Sequence, residues 1–349
     1  MMQLSQTDFP KVSVIRDTER RVPVAFFGCP TTIGRVFAQG RFEEIASMCD
    51  IYPDIVSLET FDEHAEKLRD VEAIFSTWGM PVLEPSHLDR LPSLAAVFYA
   101  AGSVRAFAEL MLERGIVVVS AWQANAVPVA EFTQAQVLLS TKGYFRNTQE
   151  FRSPRDRTLA FQGNGNFSET VALLGAGAIG RRVIGLLRPF NLRVVVYDPF
   201  LSEKDAADLG VSLVSLEEAF RQGYVVSNHL ADVPETKELL NGALFKLMRQ
   251  NATFINTGRG ATVNEAEMIE FLSHREDVTA LLDVTWPEPP VEGSPLYSLP
   301  NVHLSTHLAG SINDEFVRMA DLCISEFRAW KAGDPLAQHV SLEMLRMSA

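Results

Sequence analysis

Three polar side chains in the C-terminal part of the sequence follow apolar runs closely, and their types suit anion binding and proton transfer. Phe254-Ile255-Asn256-Thr257-Gly258-Arg259-Gly260 puts a guanidinium in a glycine-flanked turn. Leu282-Asp283-Val284-Thr285-Trp286-Pro287-Glu288-Pro289 supplies two acids, and Leu304-Ser305-Thr306-His307-Leu308-Ala309-Gly310 supplies a histidine. The planar fork of Arg259 can hold a small carboxylate with its neighbouring carbonyl oxygen and polarise that carbonyl. An imidazole titrates near neutrality, so His307 can give a proton in one direction and accept it in the other. Glu288, if bonded to the second ring nitrogen, would orient the ring and favour its protonated form. Singly, each group has a bland reading: a surface cation, a solvated acid, a satisfied polar residue. Their joint place at consecutive strand ends favours one shared site.

A glycine-rich turn stands upstream. Gly175-Ala176-Gly177-Ala178-Ile179-Gly180 follows the apolar run Val171–Leu174 and precedes an apolar-periodic stretch through Leu187. A second run, Leu192–Tyr197, ends at Asp198, as a dinucleotide-binding strand-helix-strand unit requires. The first glycine would make the turn, the second would admit a pyrophosphate to the backbone, and the third would let helix and strand pack. Backbone N–H groups of Ala178 and Ile179 would face the anion at the helix start. Asp198 would accept from an adenosine ribose and repel a 2′-phosphate. Pro199, Phe200 and Leu201 offer no cation, and Arg181 and Arg182 read as a solvated helix face, so NAD(H) is expected over NADP(H).

The elements that must position these groups follow a β/α rhythm. In the first part, Val22–Gly28, Ile55–Leu58, Ala73–Ser76, Leu94–Tyr99 and Ile116–Ser120 read as short buried strands. Helical patterns lie between them around Phe42–Met48, His64–Leu68 and Val104–Leu112, as in a parallel sheet. Pro128 opens a helix, Val129–Ser140, apolar on nearly every face; it must be buried between layers or against another subunit, and the pattern does not choose. Tyr144–Phe167 reads as an extended arm. After Asp198 come Ser215–Arg221 (helix), Tyr224–Ser227 (strand), Glu235–Arg249 (helix), Thr253–Asn256 (strand), Glu265–Ser273 (helix), then strands Ala280–Val284 and Val302–Leu304. That completes a doubly wound sheet. Ser311 is expected to cap a last helix, Asn313–Lys331, stopped by Gly333 and Pro335 and packed back on the first domain. The fold class is therefore α/β, with a dinucleotide domain, 126–308, inserted into a substrate domain, 1–125 and 309–349.

Size and charge narrow the partners. The 349 residues, 47% of them hydrophobic, can bury a sizeable core. A formal charge of −13 argues against nucleic acid or an anionic membrane, both of which need a concentrated basic surface. No run reaches the length of a membrane span, and the N-terminus, with Asp8 and Lys11, lacks a signal-peptide core; a cytoplasmic location is expected. Cys29, Cys49 and Cys323 read as reduced core residues. His303 and His307 lie four apart, but the segment Asn301–Thr306 reads as a strand, on which four residues span about 13 Å, so no metal site is expected.

With these motifs the sequence resembles the D-isomer-specific 2-hydroxyacid dehydrogenase family. The similarity runs from about Ala95 to Gly310 through Val129-Ala130-Glu131-Phe132-Thr133, the glycine turn with Asp198, Val233-Pro234-Glu235-Thr236, and the three segments that carry Arg259, Glu288 and His307. The resemblance implies that these three are catalytic, that Asp283 contacts the nicotinamide carboxamide, and that His229, Thr257 and Gly310 belong to the cofactor site. It implies a flavodoxin-like substrate domain whose loop at Gly102 and Ser103 offers N–H groups to the substrate carboxylate, as Trp78 and Gly79 could. It also implies a homodimer built around the Val129 helix. Ala231-Asp232, Trp286-Pro287 and Asn264 depart from the common family pattern. The expected activity is NAD-dependent interconversion of a D-2-hydroxy acid and its 2-keto acid; the contrasting reading is a non-catalytic NAD sensor or corepressor-like scaffold.

Overall fold

The computed structural model describes residues 20–347, so the N-terminal expectation resting on Asp8 and Lys11 lies outside it. The chain divides into two compact units: the part up to Trp122 with Phe316–Leu342, and Gln123–Glu315 with the segment from Glu343 on.

The first unit is built on five parallel strands, β1 (Val22–Phe27), β2 (Cys49–Val56), β3 (Ala73–Ser76), β4 (Ala96–Tyr99) and β5 (Val117–Ser120), in the order β2-β1-β3-β4-β5. β3 and β4 are buried along their whole length, as a parallel sheet covered on both faces demands. Phe75 and Phe98 meet Phe327 of the helix Val317–Ala332 at ring-centroid distances of 5.3 and 5.4 Å. Gly333, at φ 80°, ends that helix. The expected strand Ile55–Leu58 instead begins at Cys49. Asp50, Pro53 and Asp54 hide it from an apolar-run reading, and they are tolerated because β2 is an edge strand.

The second unit holds seven parallel strands: β6 (Phe167–Leu174), β7 (Asn191–Tyr197), β8 (Ser212–Leu213), β9 (Val225–Asn228), β10 (Thr253–Asn256), β11 (Thr279–Leu282) and β12 (Val302–Leu304). Their order, β12-β11-β10-β9-β6-β7-β8, reverses between β6 and β9 and is the doubly wound arrangement. One face buries Phe220, Phe245 and Phe254, the other Val183, Ile184 and Leu187 of the helix Ala178–Leu187. Among the described residues no helix is long and apolar enough to cross a membrane.

Several local expectations are corrected. The apolar helix runs from Trp122 to Thr141, so Pro128 lies inside it rather than at its start. Trp122 N donates to Ser120 Oγ, and the buried face from Ala126 to Thr141 outweighs the hydrogen bond that Pro128 cannot make. The arm is not extended throughout: Tyr144–Glu150 is helical, held by an Arg146–Glu150 pair one turn apart, and Pro154–Thr158 is a 3-10 turn. Glu235–Arg249 is broken into a 3-10 turn, Pro234–Thr236, and a short helix, Gly242–Phe245, capped by Asn241. Between them, Glu238 N and Leu240 N donate to Ala261 O and Thr262 O, pairing this stretch with the segment after Arg259. A helix, Glu203–Leu209, and the short β8 were not expected. Ser311 does not cap: its N–H donates to Asn125 Oδ1, and a 3-10 turn, Asn313–Phe316, precedes the helix at Val317. Cys49 and Cys323 are buried, but Cys29 is exposed, because it sits in the loop beyond β1 rather than in the core.

Candidate active site

Three neighbouring strands end level. Asn256 pairs with Leu282, and Leu282 pairs with Leu304, so the segments carrying Arg259, Glu288 and His307 leave one edge of one sheet together. Adjacent strands lie about 4.8 Å apart, which keeps the three loop bases within roughly 10 Å.

His307 and Glu288 meet directly. His307 Nδ1 is 2.7 Å from Glu288 Oε1, with side chains 49% and 41% exposed. A pair so wet contributes little to stability; what it fixes is the direction of the ring. His307 itself sits at φ 58°, a left-handed conformation costly for a side-chain-bearing residue. Asp283, 2% exposed, holds it there: its carbonyl accepts His307 N at 3.0 Å, and its carboxylate accepts Ser305 Oγ, Leu308 N and Ala309 N at 2.6–2.9 Å. The carboxylate expected to contact a cofactor carboxamide is thus already the clamp of the histidine loop. A cavity of about 300 Å³, lined by Asp283, Thr285, Glu288, Ser305, Thr306 and His307, lies at the pair.

Arg259 is brought to the same strand ends by backbone packing. A Cβ on Gly260 would stand 2.0 Å from Thr285 O, so the arginine turn rests on the start of the Glu288 segment. Glu265 Oε2 accepts Trp286 N at 3.0 Å, and burial raises the pKa of that carboxyl. The guanidinium donates from Nη1 to Gly258 O at 2.9 Å, while Thr262 Oγ1 donates to Arg259 O at 2.8 Å.

The glycine turn separates the three glycine jobs. Gly175 has φ 99°, and a Cβ there would meet His229 O at 2.8 Å; on Gly180 it would meet Gly175 O at 2.1 Å. Beside Gly177 nothing lies within 4 Å, so the open approach is at the second glycine. Gly177 starts the helix Ala178–Leu187 with no side-chain cap, which leaves the helix end to attract an anion. Asp198 Oδ2 accepts from Ala176 N at 2.7 Å and Oδ1 from Phe200 N and Leu201 N at 2.8 and 3.1 Å, tying the turn to β7 while Oδ2 retains a lone pair. His229 Nε2 is 2.9 Å from Ser227 Oγ, its buried Nδ1 has no hydrogen-bond partner among the described residues, and burial lowers its pKa to about 4. Thr257 Oγ1 lies 3.1 Å from Thr133 Oγ1, and the Cα of Gly310 faces the Asn125 amide. These features fit a dinucleotide: an open second glycine, an uncapped helix start, and an acid at the end of the next strand.

Trp78, Gly79, Gly102 and Ser103 belong to the first unit, at the C-terminal ends of β3 and β4. Ser120 Oγ donates to the carbonyls of Ala101 and Gly102. Because a trans peptide points its N–H opposite to its C=O, the N–H groups of Gly102 and Ser103 face away from Ser120. Sequence reasoning missed Gly260, Glu265 and Ser305 and the clamp made by Asp283. An acid directly after the buried Leu281-Leu282, with no cation beside it in sequence, was the signal available.

Residues 135–309 match the family model described as D-isomer specific 2-hydroxyacid dehydrogenase, NAD binding domain. Over 269 residues, 76% of this chain and 51% of the relative, the sequence is 27% identical to D-3-phosphoglycerate dehydrogenase of Methanocaldococcus jannaschii. It is 28% identical to the protein of that name from Bacillus subtilis over 66% of this chain and 44% of the relative. The chain thus spans about half the length of the curated relatives it matches. Among solved structures, D-mandelate dehydrogenase of Rhodotorula graminis superposes with a TM-score of 0.78 at 20% identity, covering 92% of this chain and 98% of that one. A phosphoglycerate oxidoreductase from Rhizobium etli gives 0.73 at 24% identity, covering 90% and 97%. These two likenesses show the fold.

Proposed function

The chain belongs to the D-isomer specific 2-hydroxyacid dehydrogenase family and carries that family's NAD-binding domain, and on this premise we propose that it interconverts a D-2-hydroxy acid and its 2-keto acid. The observation that carries the reading is the 2.7 Å bond between His307 Nδ1 and Glu288 Oε1 at the end of β12. With Nδ1 committed to Glu288, Nε2 is the atom left to exchange a proton with the substrate oxygen. Arg259 pairs with the substrate carboxylate and polarises the ketone, since a guanidinium fork matches both oxygens. In the first unit, the backbone N–H groups of Gly102 and Ser103, and of Gly79, are the donors assigned to a substrate carboxylate.

The dinucleotide would be held by the backbone around Gly175, Gly177 and Gly180, by Ala178 and Ile179 N–H on its pyrophosphate, and by Asp198 on its ribose. His229, Thr257, Asp283 and Gly310 would line its nicotinamide end. When bound, NAD supplies or takes the hydride at C2 of the substrate. Asp198 disfavours a 2′-phosphate.

A cytoplasmic homodimer fits the same reading. Leu139, Tyr144, Phe151, Leu159 and Phe167 are each between 39% and 81% exposed, clustered in sequence around the Trp122–Thr141 helix and the segment after it. So much exposed apolar side chain in one stretch is what a subunit interface uses.

The test is loss of NADH absorbance with glyoxylate, hydroxypyruvate and branched or aromatic 2-keto acids. Turnover of at least one is expected. Tight NADH binding with no turnover across the set would instead mark an NAD-sensing protein.

A further inference from the structure

Within the second unit, β9 and β10 end side by side on Asn228 and Asn256, which are register partners. The strands beneath them are apolar and buried: Val225 and Val226 on β9, Phe254 and Ile255 on β10. Yet Asn228 and Asn256 are no more than 1% exposed, and Thr262, in the turn after Arg259, is fully buried. A carboxamide or hydroxyl taken out of water costs free energy unless its groups are bonded, so where each bond goes shows what the cluster holds in place.

Asn228 uses every group of its side chain. Nδ2 donates to Asn256 Oδ1 at 3.0 Å and to Thr262 Oγ1 at 2.9 Å, while Oδ1 accepts Leu230 N at 3.1 Å. Exchanging the oxygen and nitrogen would set two acceptor oxygens together and leave Leu230 N facing a donor, so the orientation of the amide is fixed. From each Nδ2 partner a second bond leads to the arginine turn. Thr262 Oγ1 passes its own hydrogen to Arg259 O at 2.8 Å, and Asn256 Oδ1 also accepts Gly258 N at 3.2 Å. Gly258 rests on Asn228 as well, because a Cβ there would stand 3.1 Å from Asn228 O. The backbone on both sides of the Arg259 Cα is thus tied to one buried carboxamide, through two relays whose bonds polarise one another.

We propose that Asn228 is the positioning residue for Arg259: through Thr262 and Asn256 its carboxamide sets the backbone from which the guanidinium reaches the substrate carboxylate. The proposal rests on the dehydrogenase reading above, in which Arg259 binds that carboxylate. Local satisfaction accounts for less. Leu230 N needs only an oxygen, whereas both Nδ2 hydrogens go to residues that bracket Arg259. Apolar side chains at 228 and 262 could fill the same space with no buried polar group to satisfy. Precision is what the polar relay adds, since a guanidinium fork must meet two oxygens at once and a misplacement of about 1 Å can cost about 10²-fold in rate.

The experiment measures kcat, KM and the NADH dissociation constant of the full chain, with whichever of glyoxylate, hydroxypyruvate and phenylpyruvate the wild type reduces fastest. Thr262→Val removes the hydroxyl and nearly keeps the shape; it should lower kcat/KM by about tenfold and leave the NADH dissociation constant within about twofold. Thr262→Ser keeps the hydroxyl and should stay within about threefold of wild type. Asn228→Leu, which removes both relays, should lose about tenfold or more; where it fails to fold, T262V and T262S decide. In an Arg259→Lys background T262V should add less than about twofold, because a residue that acts through Arg259 has little left to position. Equal losses in T262V and T262S, an equal T262V effect in both backgrounds, or a T262V protein with wild-type kcat/KM overturns the proposal and leaves the dehydrogenase reading standing. A wild type silent with all three acids overturns both.

Discussion

At the scale of single residues, His229 gives the clearest coupling between position and chemistry. Burial lowers its pKa from 6.5 to about 4, so the ring is neutral at neutral pH and brings no charge to the turn whose first glycine abuts its carbonyl. The unfolded chain binds a proton at this residue below about pH 6.5 and the folded chain does not until about pH 4. Stability from this group is therefore complete above pH 6.5 and lost as pH falls toward 4, by about 3 kcal/mol. Burial also lowers the pKa of His303, which acts in the same direction. Denaturant titrations from pH 7 to 4 should show the loss, and His229→Gln should flatten it; an equal slope in that variant removes His229 as its source. His307 shows the other residue-scale device, a left-handed backbone held by four donors to Asp283. The sequence shows that histidine and that acid but not their bond, because the clamp joins two segments more than twenty residues apart.

At the scale of elements, the Arg259, Glu288 and His307 segments are positioned by the loops packing on one another as well as by the strands beneath them. Gly260 shows this best. Its missing Cβ lets the Arg259 turn lie on the Thr285 backbone, and any side chain must push main chain aside. Gly260→Ala should cost about 3 kcal/mol of stability and also lower kcat, because Arg259 and Glu288 shift relative to each other. Gly185 is the control: it lies mid-helix with nothing within 4 Å of an added Cβ, so Gly185→Ala should stabilise by about 0.5–1 kcal/mol. Thermal melts and steady-state kinetics on both variants decide it, and a G260A protein as stable and active as wild type contradicts the packing argument. Element types were legible where the pattern was short, apolar and bounded, as at Ala73–Ser76, Thr253–Asn256 and Val302–Leu304. They were illegible where tertiary partners override the local pattern. Glu235–Arg249 reads as one helix, yet Glu238 and Leu240 spend their N–H groups on Ala261 and Thr262. Pro128 reads as a helix start, yet burial of the surrounding apolar face carries the helix through it.

At the scale of the whole molecule, two parallel sheets differ in strand order: one carries the glycine turn and the Arg259, Glu288 and His307 segments, the other the loops that hold Gly102 and Trp78. The doubly wound class was readable because the β/α alternation and the glycine turn both lie in the sequence, whereas the order of strands in a sheet does not. The central claim is that His307, oriented by Glu288, carries the proton in NADH-dependent reduction of a 2-keto acid. It is tested most directly by single-turnover reduction under saturating NADH in the wild type, His307→Asn and Glu288→Gln. The account predicts that H307N slows the chemical step by about 10²–10⁴-fold and E288Q by a smaller factor, with the NADH dissociation constant little changed. An H307N protein that reduces the keto acid at the wild-type rate would contradict it.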